Sequence, residues 1–222
     1  MSYSRLINGF CLVAIACLIS NCDQVKPTSQ PPLPGVNQLK YRVSRKMDKQ
    51  EFWRVIDFAH QQAKGNEQVY EALIIKTLEQ YSPEEIIEFE CLLEQQLLAV
   101  DDFKVMAAQK IIEGSVTDDS YLYFRCWLIS QGKSVFEEAL RNPDSLASID
   151  TEGVVAEFEP LLYVTTQAYK NKTCKQEEDE SFPRGVASKQ GLNYDSARGT
   201  KGDDWTEEQL PTLLPKLWAK YN

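Results

Sequence analysis

Ser82-Pro83-Glu84-Glu85 leaves the chain little choice but to start a helix at that point. The serine hydroxyl can accept from the backbone N–H three residues on. Proline in the first turn loses nothing by lacking its own N–H, and Glu85 can reach back to the serine. Ile86, Phe89, Leu93, Gln96 and Val100 then recur at helical spacing, with Ile87 and Leu97 widening the apolar face. Related signals punctuate the rest of the chain. Asp48 with Glu51 resembles a capping box, and Phe52, Ile56, Ala59 and Ala63 line one face until Gly65 stops the helix. Asn66 caps a second helix whose stripe is Val69, Ala72, Leu73 and Lys76. A helix over 102–113 turns Phe103, Met106, Ala107 and Ile111 inward and ends at Gly114, and Thr117 caps the next, over 118–131. Ser134 and Glu137 box a short helix through Leu140, Asn142-Pro143-Asp144-Ser145 is a turn, and 152–158 and 160–171 are further helical segments. Residues 173–204, rich in charge, Gly and Pro, read as a long loop before Thr206 and Gln209 box a last short helix with Leu210, Leu213, Leu214, Leu217 and Trp218. Alternating strand patterns and internal repeats are missing. The expected fold is all-α: a compact multi-helix domain with a long C-terminal loop and a short terminal helix.

In front of this body stands a segment of different character. Arg5 precedes an apolar run from Phe10 to Ile19, too short for a membrane-spanning helix of about 20 residues, so a processed signal is the better physical reading. Leu18-Ile19-Ser20-Asn21-Cys22 is similar to a bacterial lipobox, in which the cysteine is diacylated and becomes the mature N-terminus. Asn21 stands where such motifs usually carry a small residue, and Ala14-Ile15-Ala16-Cys17 is a second candidate site. Residues 23–46, with Pro27, Pro31, Pro32 and Pro34, then make a spacer with few apolar side chains. The expected organisation is a lipoprotein-like signal over 1–22, a Pro-rich linker over 23–46 and a helical domain over 47–222, with lipid on Cys22 and a place in the cell envelope. An uncleaved anchor, or a cytoplasmic protein starting at Met47, are the alternatives.

Charge narrows the partners. The chain has a formal net charge of −9, yet residues 48–222 alone hold 18 Lys/Arg against 32 Asp/Glu, a net of −14. Such an excess argues against non-specific nucleic-acid binding and against direct adhesion of the body to anionic lipid, and permits a basic protein partner. The chemistry-bearing motifs are few. His60 is the single histidine, and Cys91, Cys126 and Cys174 are too far apart for a C-x-x-C metal pair. Nucleophile-elbow, phosphate-loop and dinucleotide signatures are missing. No metal or cofactor is expected.

The most distinctive polar run is 117–128. Asp118 and Asp119 suit the first helical turn, where they complement exposed N–H groups. They point about 100° apart, so they cannot act as a paired acid and base by themselves. Tyr123, Arg125 and Trp127 are residue types that anchor interfaces. Asp118, Asp119, Tyr123, Arg125 and Trp127 are therefore the candidate binding surface, with capping, core packing and one internal ion pair as the simpler account of the same residues.

Met47-Asp48-Lys49-Gln50-Glu51-Phe52-Trp53, the Tyr-Phe-Arg-x-Trp-Leu-Ile-x-Gln-Gly run within 118–132, and Asn142-Pro143-Asp144-Ser145-Leu146 resemble the bacterial domain of unknown function 4240 (DUF4240). Leu161-Leu162-Tyr163-Val164, Ala168-Tyr169 and the ending around Trp205, Leu217 and Trp218 are similar as well, so the resemblance spans 47–222. It implies a compact helical domain and no particular activity, cofactor or substrate. The leader and Thr173-Cys174-Lys175 depart from the family pattern. Three functions remain in view: a membrane-tethered acidic binding or accessory protein, a hydrolase-type enzyme with a carboxylate, Tyr and Arg cleft, or a structural envelope protein.

Overall fold

The computed structural model describes residues 40–44, 46–151, 153–176, 178–194 and 199–222. They belong to one compact unit, 33–222. Cys22, the signal and most of the linker lie outside the described residues. The chain forms α1 (Lys49–Ala63), α2 (Glu67–Leu78), α3 (Pro83–Ala99), α4 (Phe103–Glu113), α5 (Asp118–Ser130), α6 (Lys133–Arg141), α7 (Val164–Thr173), α8 (Pro183–Lys189), α9 (Leu210–Leu213) and α10 (Pro215–Tyr221). Short 3-10 turns cover Pro143–Ser148, Glu159–Leu162 and Glu207–Gln209. Among the described residues there is no strand, and the fold is all-α as expected.

Local signals act where they were read. Ser82 and Glu85 close a complete capping box on α3, and Thr117 does so on α5 with Ser120 as its partner. Apolar faces then meet: α1 packs on α2, α3 on α7 and α8, and α10 on α4 and the 143–148 turn. Phe52, Phe89, Phe124, Phe136 and Trp53 are buried in one continuous core, with the Phe52 and Phe89 rings 4.8 Å apart and Trp53 5.0 Å from Phe136.

Five local expectations are corrected. Asp48 does cap α1, accepting from Gln50 and Glu51 N–H at 3.0 Å, but Glu51 does not close the box. Its carboxylate is buried and takes hydrogen bonds from Tyr41, Tyr81 and Arg54 instead. On α2 the buried face is Tyr70, Leu73, Ile74, Thr77 and Leu78, and Lys76 is exposed in an ion pair with Glu79. Packing between α1 and α7 rotates that face away from the simple stripe. Ser134 and Glu137 do not box α6. Its N-cap is Gly132 at φ 93, and Asp57 of α1 accepts the Lys133 N–H at 2.9 Å. A Cβ at position 132 would fall 2.6 Å from that Asp57 oxygen, so only glycine fits both the conformation and the contact.

The segment 153–158 is not helical. Gly153 takes φ 72, Ala156 N–H donates to Glu113 Oε1 at 2.6 Å and Phe158 N–H donates to the Tyr123 carbonyl at 3.0 Å. Other helices thus satisfy its backbone, while Val154 and Val155 stay exposed. Finally, 173–204 is not all loop. It contains α8, which begins at Pro183 and packs on α3 with Phe182 and Ala187 buried.

The tail folds back on the middle of the chain. Phe103 N–H donates to Lys201 O at 2.9 Å, Lys201 N–H donates to Asp101 O at 3.2 Å, and Trp205 Nε1 donates to Phe103 O at 2.7 Å. Asp144 accepts from the N–H groups of Lys216 and Leu217 at the start of α10.

Candidate functional site

The five residues expected to form a surface divide between the outside and the interior of the domain. Asp118 and Asp119 are exposed in the first turn of α5, and Tyr123 is half-buried. Arg125 is buried. Its Nη1 donates to the Leu97 carbonyl at 3.2 Å and lies 3.8 Å from Asp101 Oδ2, with the guanidinium 4.9 Å from the Tyr121 ring centre. Trp127 is also buried and stacks on Phe124 at 5.3 Å. Two positions apart on a helix, Arg125 and Trp127 diverge by about 200° and serve different neighbourhoods.

Trp127 does border a cavity. A space of about 200 Å³ opens between α1, α2, the end of α5 and the 150–158 segment, with Trp127, Tyr70 and Phe158 as aromatic lining and His60, Asp150 and Thr151 among its polar residues. Tyr70 and Phe158 meet edge to face at 5.0 Å. The Tyr70 hydroxyl is buried with no hydrogen-bond partner among the described residues, and burial followed by the charge of Asp57 pushes its pKa well up, so it stays protonated as donor and acceptor. Nothing in the sequence marks Tyr70, which reads as one more apolar position on a helix.

The segment that lines the cavity through Val154 and Phe158 also carries Glu157 and Glu159. Partial burial, then the nearby charges of Glu113 and Glu159, raise the Glu157 pKa. Tyr123 is likewise raised by desolvation and then by Glu159 and Asp119, and Tyr163, half exposed, donates to Glu159 Oε1 at 2.9 Å. Among the described residues, none of Glu113, Asp119, Glu157 and Glu159 forms an ion pair with Lys or Arg. The cavity therefore opens beside an acidic face dotted with Tyr123, Tyr163 and the two exposed valines.

A second carboxylate group is internal. Glu90 and Glu94, one turn apart on α3, are almost fully buried. Glu90 accepts from Thr165 Oγ1 at 2.5 Å, and Glu94 accepts from Tyr194 N–H at 2.8 Å. Arg184 Nε lies 3.6 Å from Glu90, an ion-pair distance but too long for a hydrogen bond, and that buried Nε has none among the described residues. These carboxylates hold α7, α8 and Tyr194 against α3. Burial raises the Glu90 pKa, with Thr165 and Arg184 opposing. Because the folded form binds the proton more tightly, stability falls as pH rises from the ordinary glutamate value through the raised one. Glu90→Gln is expected to flatten that part of the stability profile, read by denaturant unfolding at a series of pH values; an unchanged slope would contradict the assignment.

Cys91 and Cys126 are buried free thiols. Burial, with Glu88, Glu90 and Glu94 nearby, pushes the Cys91 thiol up to about 11, and burial raises Cys126 too. Both are poor nucleophiles at neutral pH. Among the described residues no three or more His, Cys, Asp or Glu side chains group as metal ligands, and no helix is long and apolar enough to cross a membrane.

No curated protein and no solved structure matches the chain. A family model described as a protein of unknown function does match, over residues 47–171, from just before α1 to within α7, covering α5 and the whole cavity lining. The chain belongs to that family, DUF4240.

Proposed function

We propose that the protein is a non-enzymatic binding or accessory protein that receives a basic protein partner on the acidic face around 154–163, while diacylated Cys22 holds it at a bacterial membrane in the cell envelope. The observation that carries the first part is the crowding of Glu113, Asp119, Glu157 and Glu159, none of which forms an ion pair among the described residues, although Arg184 reaches the edge of this face at the Tyr163 ring. Like charges held together cost electrostatic energy, which an incoming Lys or Arg relieves, giving fast and selective association. The neighbouring cavity is of a size for one side-chain end. Its aromatic lining and the Tyr70 hydroxyl suit an ammonium or guanidinium group. Val154 and Val155 add apolar contact at its edge.

The test uses a chain beginning at Leu33, the start of the compact unit, titrated calorimetrically with a Lys/Arg-rich peptide and with its norleucine counterpart. Selective, salt-sensitive binding of the basic peptide is expected, weakened about tenfold by Glu157→Gln with Glu159→Gln, which corresponds to about 1.4 kcal/mol. Binding should also strengthen as pH rises through the carboxylate range, since Glu157 must ionise to take part. Equal affinity for the two peptides would end the proposal. The tether is tested separately by intact mass of the membrane fraction: a chain starting at acylated Cys22 supports it, and an unmodified chain starting at Met47 removes it.

A further inference from the structure

On another side of α1 the charge pattern reverses. Lys40, Arg42, Arg54 and Lys133 line an open cleft of about 460 Å³ together with Asp57 and Trp53, so four cations face one carboxylate in a domain that is otherwise strongly acidic. The cleft is built by the chain just before α1. Arg54 Nη2 donates to the Arg42 carbonyl at 2.6 Å and its guanidinium sits 4.7 Å from the Tyr41 ring centre, which fixes the 40–42 run along the helix.

The charges around the cleft are only partly answered from within. Glu51 takes Arg54 at 2.5 Å, and Glu137 approaches Lys133 at 3.8 Å. Asp57 is committed to the Lys133 backbone N–H at 2.9 Å. Among the described residues, neither Lys40 nor Arg42 forms an ion pair. A second, independent feature points to a ligand. Trp53, which lines the cleft, is 2% exposed, and among the described residues its buried indole Nε1–H has no acceptor. An indole N–H can only donate, so its signal reports on an acceptor or a charge brought to this wall of the cleft. Its Phe136 neighbour at 5.0 Å offers none.

We propose that this cleft is a binding site for a phosphate-class oxyanion, with Lys40, Arg42, Arg54 and Lys133 neutralising it. A dianion suits the cationic excess better than a single carboxylate, and charge-assisted hydrogen bonds from Arg and Lys favour phosphate oxygens. The phosphate can belong to a soluble ester or to an anionic lipid headgroup, since the same donors recognise both. The site is distinct from the acidic face, and its test does not depend on any protein partner.

The experiment follows the assigned Trp53 indole ¹H–¹⁵N signal of the chain beginning at Leu33. Inorganic phosphate and glycerol phosphate are titrated against sodium chloride at matched ionic strength. A saturable shift with the phosphates alone is expected, with affinity reduced by about tenfold or more in the exposed-site variant Lys40→Ala with Arg42→Ala, whose thermal unfolding serves as the fold control. Co-sedimentation with phosphatidylglycerol vesicles, compared with phosphatidylcholine, separates the sources. Retention that is lost in the variant assigns the site to a lipid headgroup, and a glycerol phosphate shift without retention assigns it to a soluble ester. An indole signal that phosphate leaves unmoved overturns the proposal. So does phosphate binding that the double substitution leaves unchanged, or vesicle retention without any change at Trp53.

Discussion

Glu51→Ala is expected to cost about 3 kcal/mol of stability, the largest single-residue effect tied to a polar group in this fold. The carboxylate is 5% exposed and sits where three side chains converge. Arg54 donates through Nε at 2.6 Å and Nη2 at 2.5 Å, Tyr41 donates at 2.8 Å, and the Tyr81 hydroxyl makes a further close hydrogen bond. Removing the acceptor strands the Tyr81 hydroxyl, whose residue is 1% exposed, whereas Arg54 is open enough to turn to water. That asymmetry keeps the figure below the full penalty of an uncompensated buried charge. Burial by itself would raise the Glu51 pKa, but the hydrogen bonds from Arg54, Tyr81 and Tyr41 outweigh it and hold the carboxyl below its ordinary value. Its contribution is therefore complete above the ordinary glutamate pKa and lost as pH falls through the depressed one, opposite in sign to Glu90. Denaturant unfolding of Glu51→Ala and Glu51→Gln at neutral pH checks this, with glutamine intermediate. A loss under about 1 kcal/mol for alanine would mean that Tyr81 finds another partner.

Asp144→Ala is expected to cost about 2 kcal/mol and to loosen the C-terminus selectively. Asp144 is 6% exposed, and its carboxylate accepts from Lys216 N–H at 3.0 Å and Leu217 N–H at 2.9 Å. No side chain next to α10 caps it, so this carboxylate from 72 residues upstream does the capping. It also complements the positive end of the helix. Amide hydrogen exchange across 215–221 should accelerate in the variant, with Asp144→Asn partly protecting. Uniform acceleration over the whole domain would show that α10 does not open on its own.

These two residues mark what the sequence could and could not reveal. Ser82-Pro83-Glu84-Glu85 and Thr117 were legible because their chemistry is closed within four residues. Glu51 looked like a capping partner of Asp48 for the same reason, but Tyr81, thirty residues on, takes part in drawing its carboxylate inward. Glu94 depends on Tyr194 and Asp57 on Lys133, and spacing along the chain carries no trace of either. The 153–158 segment reads as helical, yet Val154 and Val155 are exposed there, and bonds to Glu113 and Tyr123 hold its backbone in another course. Trp127 was singled out as an anchor. It lies inside rather than on a surface, but it borders the cavity, whereas Arg125 is engaged with Leu97 and Asp101. Tyr70 and Trp53 could not be found at all, because what distinguishes them is an unmet hydrogen-bonding atom.

The clasp between Lys201 and residues 101–103, together with the burial of Leu210, Leu214 and Leu217, sets an order of events during synthesis. The family match ends at residue 171, but the core is not closed there. Helices α1 to α5 leave the ribosome long before the residues that seal them, and contacts across such a sequence separation form late. Until α10 has packed, the chain lacks the part of its interior that Leu210, Leu214 and Leu217 supply, so the earlier helices complete their packing only after the tail arrives.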